Sequence, residues 1–329
     1  MKAFLLLLFA AGALAQEPTT LRLQSNLVVL PAQVETKKGE ILYGLKASQF
    51  SLEDNGIARP IQLEQDDESA GLSLVLVVQC SRTAFEQFGK MRGLHAMVDA
   101  LTGGAPHQVA LVSYGTEIEL LTGFTASDKR LSAAFADLQP CDDEHDAVTL
   151  DAVDFATHLF DGKPPASPGN RRAILLIGET RDHGSHLKPS VIAANLGRSN
   201  IVIDAVSFNP GKDDLLALLH GAVPNPLEAL MLVVQALRKN IPHTLTHLTG
   251  GEYTNFNTQK GFEAGIGRLA NHIHNFYLLS FQPPSNNVPG LHRLVLKVPD
   301  YPDAQIRSRL TYYAGDAPPP QVPEDGDIK

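Results

Sequence analysis

Residues 71–83 read GLSLVLVVQCSRT, and this stretch decides the fold. From Leu72 to Val78 the chain is almost continuously apolar, as in a parallel strand covered on both faces. The run ends in Gln79-Cys80-Ser81-Arg82-Thr83. From Phe85 to Leu101 the spacing turns helical, with Phe88, Met91, Leu94, Met97 and Val98 on one stripe. A buried strand that opens into a polar loop before a helix presents that loop at the carboxyl end of a sheet. Open α/β sheets bind their ligands there.

The same alternation continues downstream. Val109–Tyr114 reads as a second buried strand and Ile118–Phe124 as a third, at an edge. Ala173–Ile177, Ile201–Val206 and a short piece at Gly250–Tyr253 complete six. Helical patterns cover 128–138, 149–160, 188–198, 258–274 and most of 213–248, the last interrupted near Pro224 and Pro242. Strands alternating with helices predict a doubly wound, mostly parallel sheet. Four loops would lie on its carboxyl face: 79–84, 141–149, 178–186 and 207–213.

Both flanks are β without helices. Upstream, Leu27–Leu30 continues through Ala32 and Val34, Phe50–Glu53 runs into the hairpin signal Asn55-Gly56, and Ile61–Leu63 alternates. Downstream, strands are predicted at 276–281, 291–298 and 306–313. Each flank has an apolar face and too few strands to bury it. The two halves are therefore expected to pair into one β-sandwich with the α/β unit inserted between them. The boundaries read as 16–70 for the first half, 71–275 for the α/β domain, 276–314 for the second half, and 315–329 for a disordered tail rich in Pro, Gly and acid.

Residues 1–15, MKAFLLLLFAAGALA, have the layout of a secretory signal peptide cleaved near Ala15, and the run is too short to span a bilayer. An exported protein, periplasmic or extracellular, is expected. The remaining sequence has no segment apolar enough to cross a membrane. Net charge is -9 with no dense basic run, which argues against nucleic acid and anionic membrane surfaces. Nothing in the chain sets its oligomeric state.

The α/β segment, 71–274, resembles a von Willebrand factor A domain. In that family the first strand runs into Asp-x-Ser-x-Ser. Those side chains, with a Thr from a second loop and an Asp after the fourth strand, hold a divalent metal that captures a partner's carboxylate. Mg²⁺ wants about six oxygens. On the matching positions this chain has Gln79 for the first Asp, Ser81 and Thr83 for the two hydroxyls, Ala147 for the second-loop Thr, and Gly178 for the later Asp. Thr149 stands two residues from the Thr position. The likeness is closer to a branch of exported proteins, the VWFA-related domain proteins common in Acidobacteria. It rests on Val34-x-Thr36-x-Lys38-Gly39, Gly44-Leu45, Phe50–Gly56, Leu175–Ser185, Leu248–Gly251 and His274–Phe281, in that order.

The resemblance implies a degenerate metal-ion-dependent adhesion site with no cofactor. A non-catalytic, exported protein-binding module is the expected function, its partner unidentified. The alternative is a metal-dependent adhesion domain with rearranged ligands drawn from Glu179, Asp182 or the acids of 142–146. A hydrolase ranks third: no Gly-x-Ser-x-Gly elbow occurs, and no motif places a base near Ser81. His243 and His247 share a helix face but read as a packed or surface pair, and residues 162–170 lack the ending of a phosphate loop. Cys80 and Cys141 are the only cysteines and fall on neighbouring top loops. They are expected to pair or to lie close enough to do so; the other reading makes Cys80 a small buried hydrophobe and Cys141 a free thiol.

Overall fold

The computed structural model describes residues 27–64, 71–163, 170–208 and 225–322. The expected leader at 1–15 and the helical pattern at 213–224 lie outside these. The strands are β1 (Val28–Glu35), β2 (Ser51–Asp54), β3 (Ile57–Arg59), β4 (Gln62–Leu63), β5 (Gly71–Gln79), β6 (His107–Tyr114), β7 (Ile118–Thr125), β8 (Asn170–Gly178), β9 (Val202–Ser207), β10 (Tyr253–Asn255), β11 (Tyr277–Phe281), β12 (Gly290–Lys297), β13 (Gln305–Ser308) and β14 (Thr311–Ala314). The helices are α1 (Phe85–Phe88), α2 (Leu94–Thr102), α3 (Asp128–Asp137), α4 (Thr149–His158), α5 (Pro189–Arg198), α6 (Pro226–Lys239), α7 (Ile241–Thr249) and α8 (Gln259–His274).

Six strands form the central sheet in the order β10-β9-β8-β5-β6-β7, all parallel except the edge strand β7. β5 is buried along nearly its whole length, which explains its unbroken apolar run. One sheet face packs under α4, α5, α6 and α7, and the other under α2, α3 and α8. The helix predicted over 85–101 is broken. Residues 89–93 separate α1 from α2, and Gly93 takes φ +85°, which a side chain would resist.

The flanking strands interleave as expected. One four-stranded sheet runs β13-β1-β11-β4 and the other β14-β12-β2-β3, so each mixes strands from both ends of the chain. Val28 pairs with Phe281, and Leu52 with Leu296. Leu30, Val34, Leu52, Leu279, Phe281, Leu294 and Tyr312 form the sandwich core. Asn55 and Gly56 take the positive φ of the predicted hairpin turn.

The strand predicted over 306–313 is two strands in different sheets. Its middle residue, Arg309, is 2% exposed. The guanidinium donates to Leu196 O (2.7 Å) and Gly197 O (3.0 Å) at the end of α5, and to Thr311 O (2.8 Å). A cation suits the last carbonyls of a helix. Burial pushes its pKa down to about 10, so it stays charged at neutral pH. Anchoring Arg309 inward bends the chain from one sheet to the other. Part of the segment expected to be disordered is also placed: Arg198 donates to Gly315 O (3.0 Å) and to Ala317 O, and Val322 packs against the α/β core.

Two buried histidines hold carboxylates behind these layers. His272 Nδ1 lies 3.2 Å from Asp204 Oδ1, and His292 Nδ1 lies 2.8 Å from Asp54 Oδ1. Burial opposes the charge on each ring, but the neighbouring carboxylates outweigh it and hold both pKa values above the usual histidine value. A raised pKa contributes stability that is complete below the unfolded value, about 6.5, and lost as pH rises through the folded one. The thermal midpoint is therefore expected to fall as pH rises above about 6.5. Each retained proton contributes up to about 1.4 kcal/mol per pH unit. His272→Asn and His292→Asn should each flatten the slope, as read by calorimetry at stepped pH. A slope unchanged in both variants would refute the assignment.

Candidate functional site

The strand order reverses at β5. Its chain successors β6 and β7 lie on one side, while β8, β9 and β10 lie on the other. The crevice beyond the carboxyl ends of β5 and β8 is thus the topological switch point of the sheet. Gln79 ends β5 and Gly178 ends β8, so topology alone brings the 79–83 loop against Gly178 and Glu179.

Gln79 is wholly buried. Its Nε2 donates to Ser81 Oγ (2.8 Å), Thr83 Oγ1 (2.9 Å) and Glu179 Oε1 (2.8 Å). Its Oε1 accepts the Glu179 main-chain N–H at 2.7 Å. That last bond fixes the amide orientation, because a flipped side chain would set NH₂ against N–H. Thr83 Oγ1 also donates to Glu179 Oε1 (3.0 Å). One neutral nitrogen therefore sits amid three oxygens, two of them the hydroxyls at the family's ligand positions. Two hydrogens shared among three acceptors are saturated.

Gly178 and Ala147, the other matched positions, offer no oxygen in their side chains. A Cβ at Gly178 would lie 2.3 Å from Tyr114 Oη and 3.0 Å from Gln79 Oε1. Tyr114, in register with Gln79 on β6, fills the space that a side chain at 178 would enter. Its hydroxyl is fully buried, and burial raises its pKa, keeping the phenol neutral. Thr149 is also buried. It turns to Tyr114 Oη and Ala147 O, both at 3.4 Å, rather than to the Gln79 cluster. The Gln79 amide nitrogen stands between the two hydroxyls and Glu179, which is the one carboxylate in the cluster.

The carboxylates named for a rearranged ligand set have separate duties. Asp182 Oδ1 accepts the Leu150 N–H at the start of α4 (3.1 Å) and the Ser185 hydroxyl (2.6 Å). Asp151, on α4, answers by accepting the N–H groups of His186 and Leu187 (both 2.8 Å). Glu144 accepts the N–H groups of Thr116 (2.6 Å) and Glu117 (3.1 Å). Asp142, Asp143 and Asp146 are exposed. Among the described residues, no group of three or more His, Cys, Asp or Glu side chains is disposed to hold a metal ion. His243 and His247 stack with ring centroids 4.0 Å apart, His243 being buried.

Main-chain and covalent links tie the loops together. Cys80 and Cys141 are bridged, with Cα atoms 5.0 Å apart and a sequence separation of 61, and Cys141 N–H donates to Cys80 O (2.8 Å). Closing such a loop contributes about 4 kcal/mol in the chain-entropy view. Ala147 and His183 exchange main-chain hydrogen bonds of 2.9 and 3.0 Å, joining the second and fourth loops. Tyr114 and Asp151 were not marked by the sequence. A large aromatic at the end of a strand two places from a terminal glycine was the available signal for Tyr114.

No protein-family model matches the chain, and no curated protein matches it. Solved structures resemble it at low identity. The proximal thread matrix protein 1 of the mussel byssus, solved with its MIDAS motif occupied by zinc, is 13% identical with a TM-score of 0.44, covering 65% of this chain and 48% of that one. The chain thus matches about half the length of the mussel protein. BatB from Bacteroides thetaiotaomicron is 15% identical with a TM-score of 0.41, covering 61% of this chain and 100% of its own. The SpRpn10 VWA domain is 12% identical with a TM-score of 0.36, at 61% and 94% coverage.

Proposed function

We propose that the chain is an exported, non-catalytic protein-binding module of the VWFA-related type whose top face works without a metal ion. The observation that carries this is the Gln79 amide, which cross-links Ser81, Thr83 and Glu179 as an ion would. Permanently cross-linked loops need no cation to present a surface. They also give up the means of capturing a partner's carboxylate, which the ion supplies in the family. The exposed residues of the loops around the locked centre carry the acids Asp142, Asp143 and Asp146 together with Arg82 and Arg181. The acidic stretch at 142–146 favours a partner with basic or polar groups.

The test uses the full chain as bait against the envelope fraction of its source cells, with EDTA and with Mg²⁺. Capture is expected to be equal in the two buffers, to weaken with salt, and to be lost when Asp142, Asp143 and Asp146 are all changed to Lys. Capture that requires the divalent ion would overturn the proposal.

A further inference from the structure

Beside the top face lies an open groove of about 500 Å³ between α4 and the first residue of β7. Asp151, Asp154, Phe155 and His158 fall on one helical face, at spacings of three and four. The opposite face of α4, with Ala152, Val153 and Ala156, is buried in the core. Ile118, Phe155 and Leu187 give the groove an apolar floor, each partly buried against the core. Two carboxylates stand in its wall, each about a fifth exposed. The loop that carries Leu187 is the one Asp151 ties to the top of α4.

We propose that this groove receives an arginine or lysine side chain of the protein partner. The inference rests on the protein-binding function proposed above and names the chemistry of one contact. An apolar floor suits the methylene stem of such a side chain, and paired carboxylates suit its cationic head. His186 and His158 already approach these carboxylates, with Nδ1 at 3.2 Å from Asp151 Oδ2 and at 3.5 Å from Asp154 Oδ2. Both rings are largely exposed, though His158 Nδ1 also lies 2.8 Å from Asp154 O, and a stronger cation competes with them for the carboxylates. Asp151 spends its oxygens on main-chain N–H groups, whereas Asp154 Oδ1 has the amide of Asn195 (3.0 Å) as its other side-chain partner. Asp154 is therefore the carboxylate that discriminates.

The experiment is an amide-resonance titration of the full chain with the peptide Ac-Leu-Arg-Leu-NH₂, with Ac-Leu-Nle-Leu-NH₂ and Ac-Leu-Glu-Leu-NH₂ as controls. Saturable shifts are expected at Ile118, His186 and Leu187 with the arginine peptide alone. Asp154→Asn should weaken binding about fivefold, near the upper value for a surface ion pair, and raised salt should weaken it further. His186→Ala should leave binding intact or tighten it, which separates loss of charge from loss of fold. Equal binding of the neutral peptide, an unaffected Asp154→Asn variant, or burial of the groove by a second copy of the chain would overturn the proposal. If the groove fails while the Asp142, Asp143 and Asp146 variant still loses its partner, the wider function stands without it.

Discussion

Gln79→Glu is expected to cost about 3 kcal/mol of stability at pH 7, although the two side chains have the same shape. The new oxygen would face Glu179 Oε1 at about the 2.8 Å now bridged by a donated hydrogen. Two carboxylates that close cannot both ionise, so one must hold a proton. The new acid's folded pKa is then raised above its unfolded value of about 4.3. Its protonated form supplies the missing donor. The deficit relative to the parent should therefore close below about pH 4.3 and open as pH rises through the folded value. Mn²⁺ or Ca²⁺ should raise the thermal midpoint of the variant and leave the parent unmoved, because only the variant offers two carboxylates and two hydroxyls around one point. Urea unfolding at several pH values, with and without the ion, reads all of this. A variant as stable as its parent at pH 7 would show that the amide is not what holds the loops.

The second large effect is steric. Gly178→Ala should destabilise by about 3 kcal/mol, since its Cβ would meet Tyr114 Oη at 2.3 Å with Gln79 Oε1 close behind. Tyr114→Phe alone should cost about 1 kcal/mol, for it loses only a long contact to Thr149. In the Tyr114→Phe background the cost of Gly178→Ala should fall by half or more, a coupling that a double-mutant cycle measures directly. Additive costs would remove Tyr114 as the obstacle. The same geometry means that placing aspartate at 178 cannot rebuild a metal site while Tyr114 is in place.

The sheet was legible because its strands differ in kind from their surroundings. The unbroken apolar runs of β5 and β8 can only be covered on both faces, and helices fall between them. The sandwich was legible by default, since neither flank had strands enough to bury Leu30 or Leu296 alone. Gln79, Ser81 and Thr83 could be grouped because they share one loop. What stayed hidden depends on residues distant in sequence. Gly178 looks like a lost ligand until Tyr114 is seen beside it. The bend at Arg309 is invisible in the alternating pattern of 306–313, because the carbonyls that pull the guanidinium inward belong to Leu196 and Gly197. Asp182 reads as a candidate metal ligand and Asp151 carries no signal, yet each closes the other's helix or loop by hydrogen bonds to main-chain N–H groups.

The interleaving of the sandwich has a consequence in time. β1 lies between β13 and β11, and β2 between β3 and β12. Any chain delivered amino end first, from a ribosome or through a membrane channel, must hold β1 unpaired, and the β2–β3 hairpin with one edge open, until the whole α/β unit and then β11 and β12 have emerged. The insert, whose strands pair among themselves, can close on its own schedule. The host cannot, and its long-range pairings make it the slow step. For that interval, Val28–Glu35 is an uncapped edge available to other chains. A holding chaperone at the point of delivery would find its client there, and among the described residues none would wait longer.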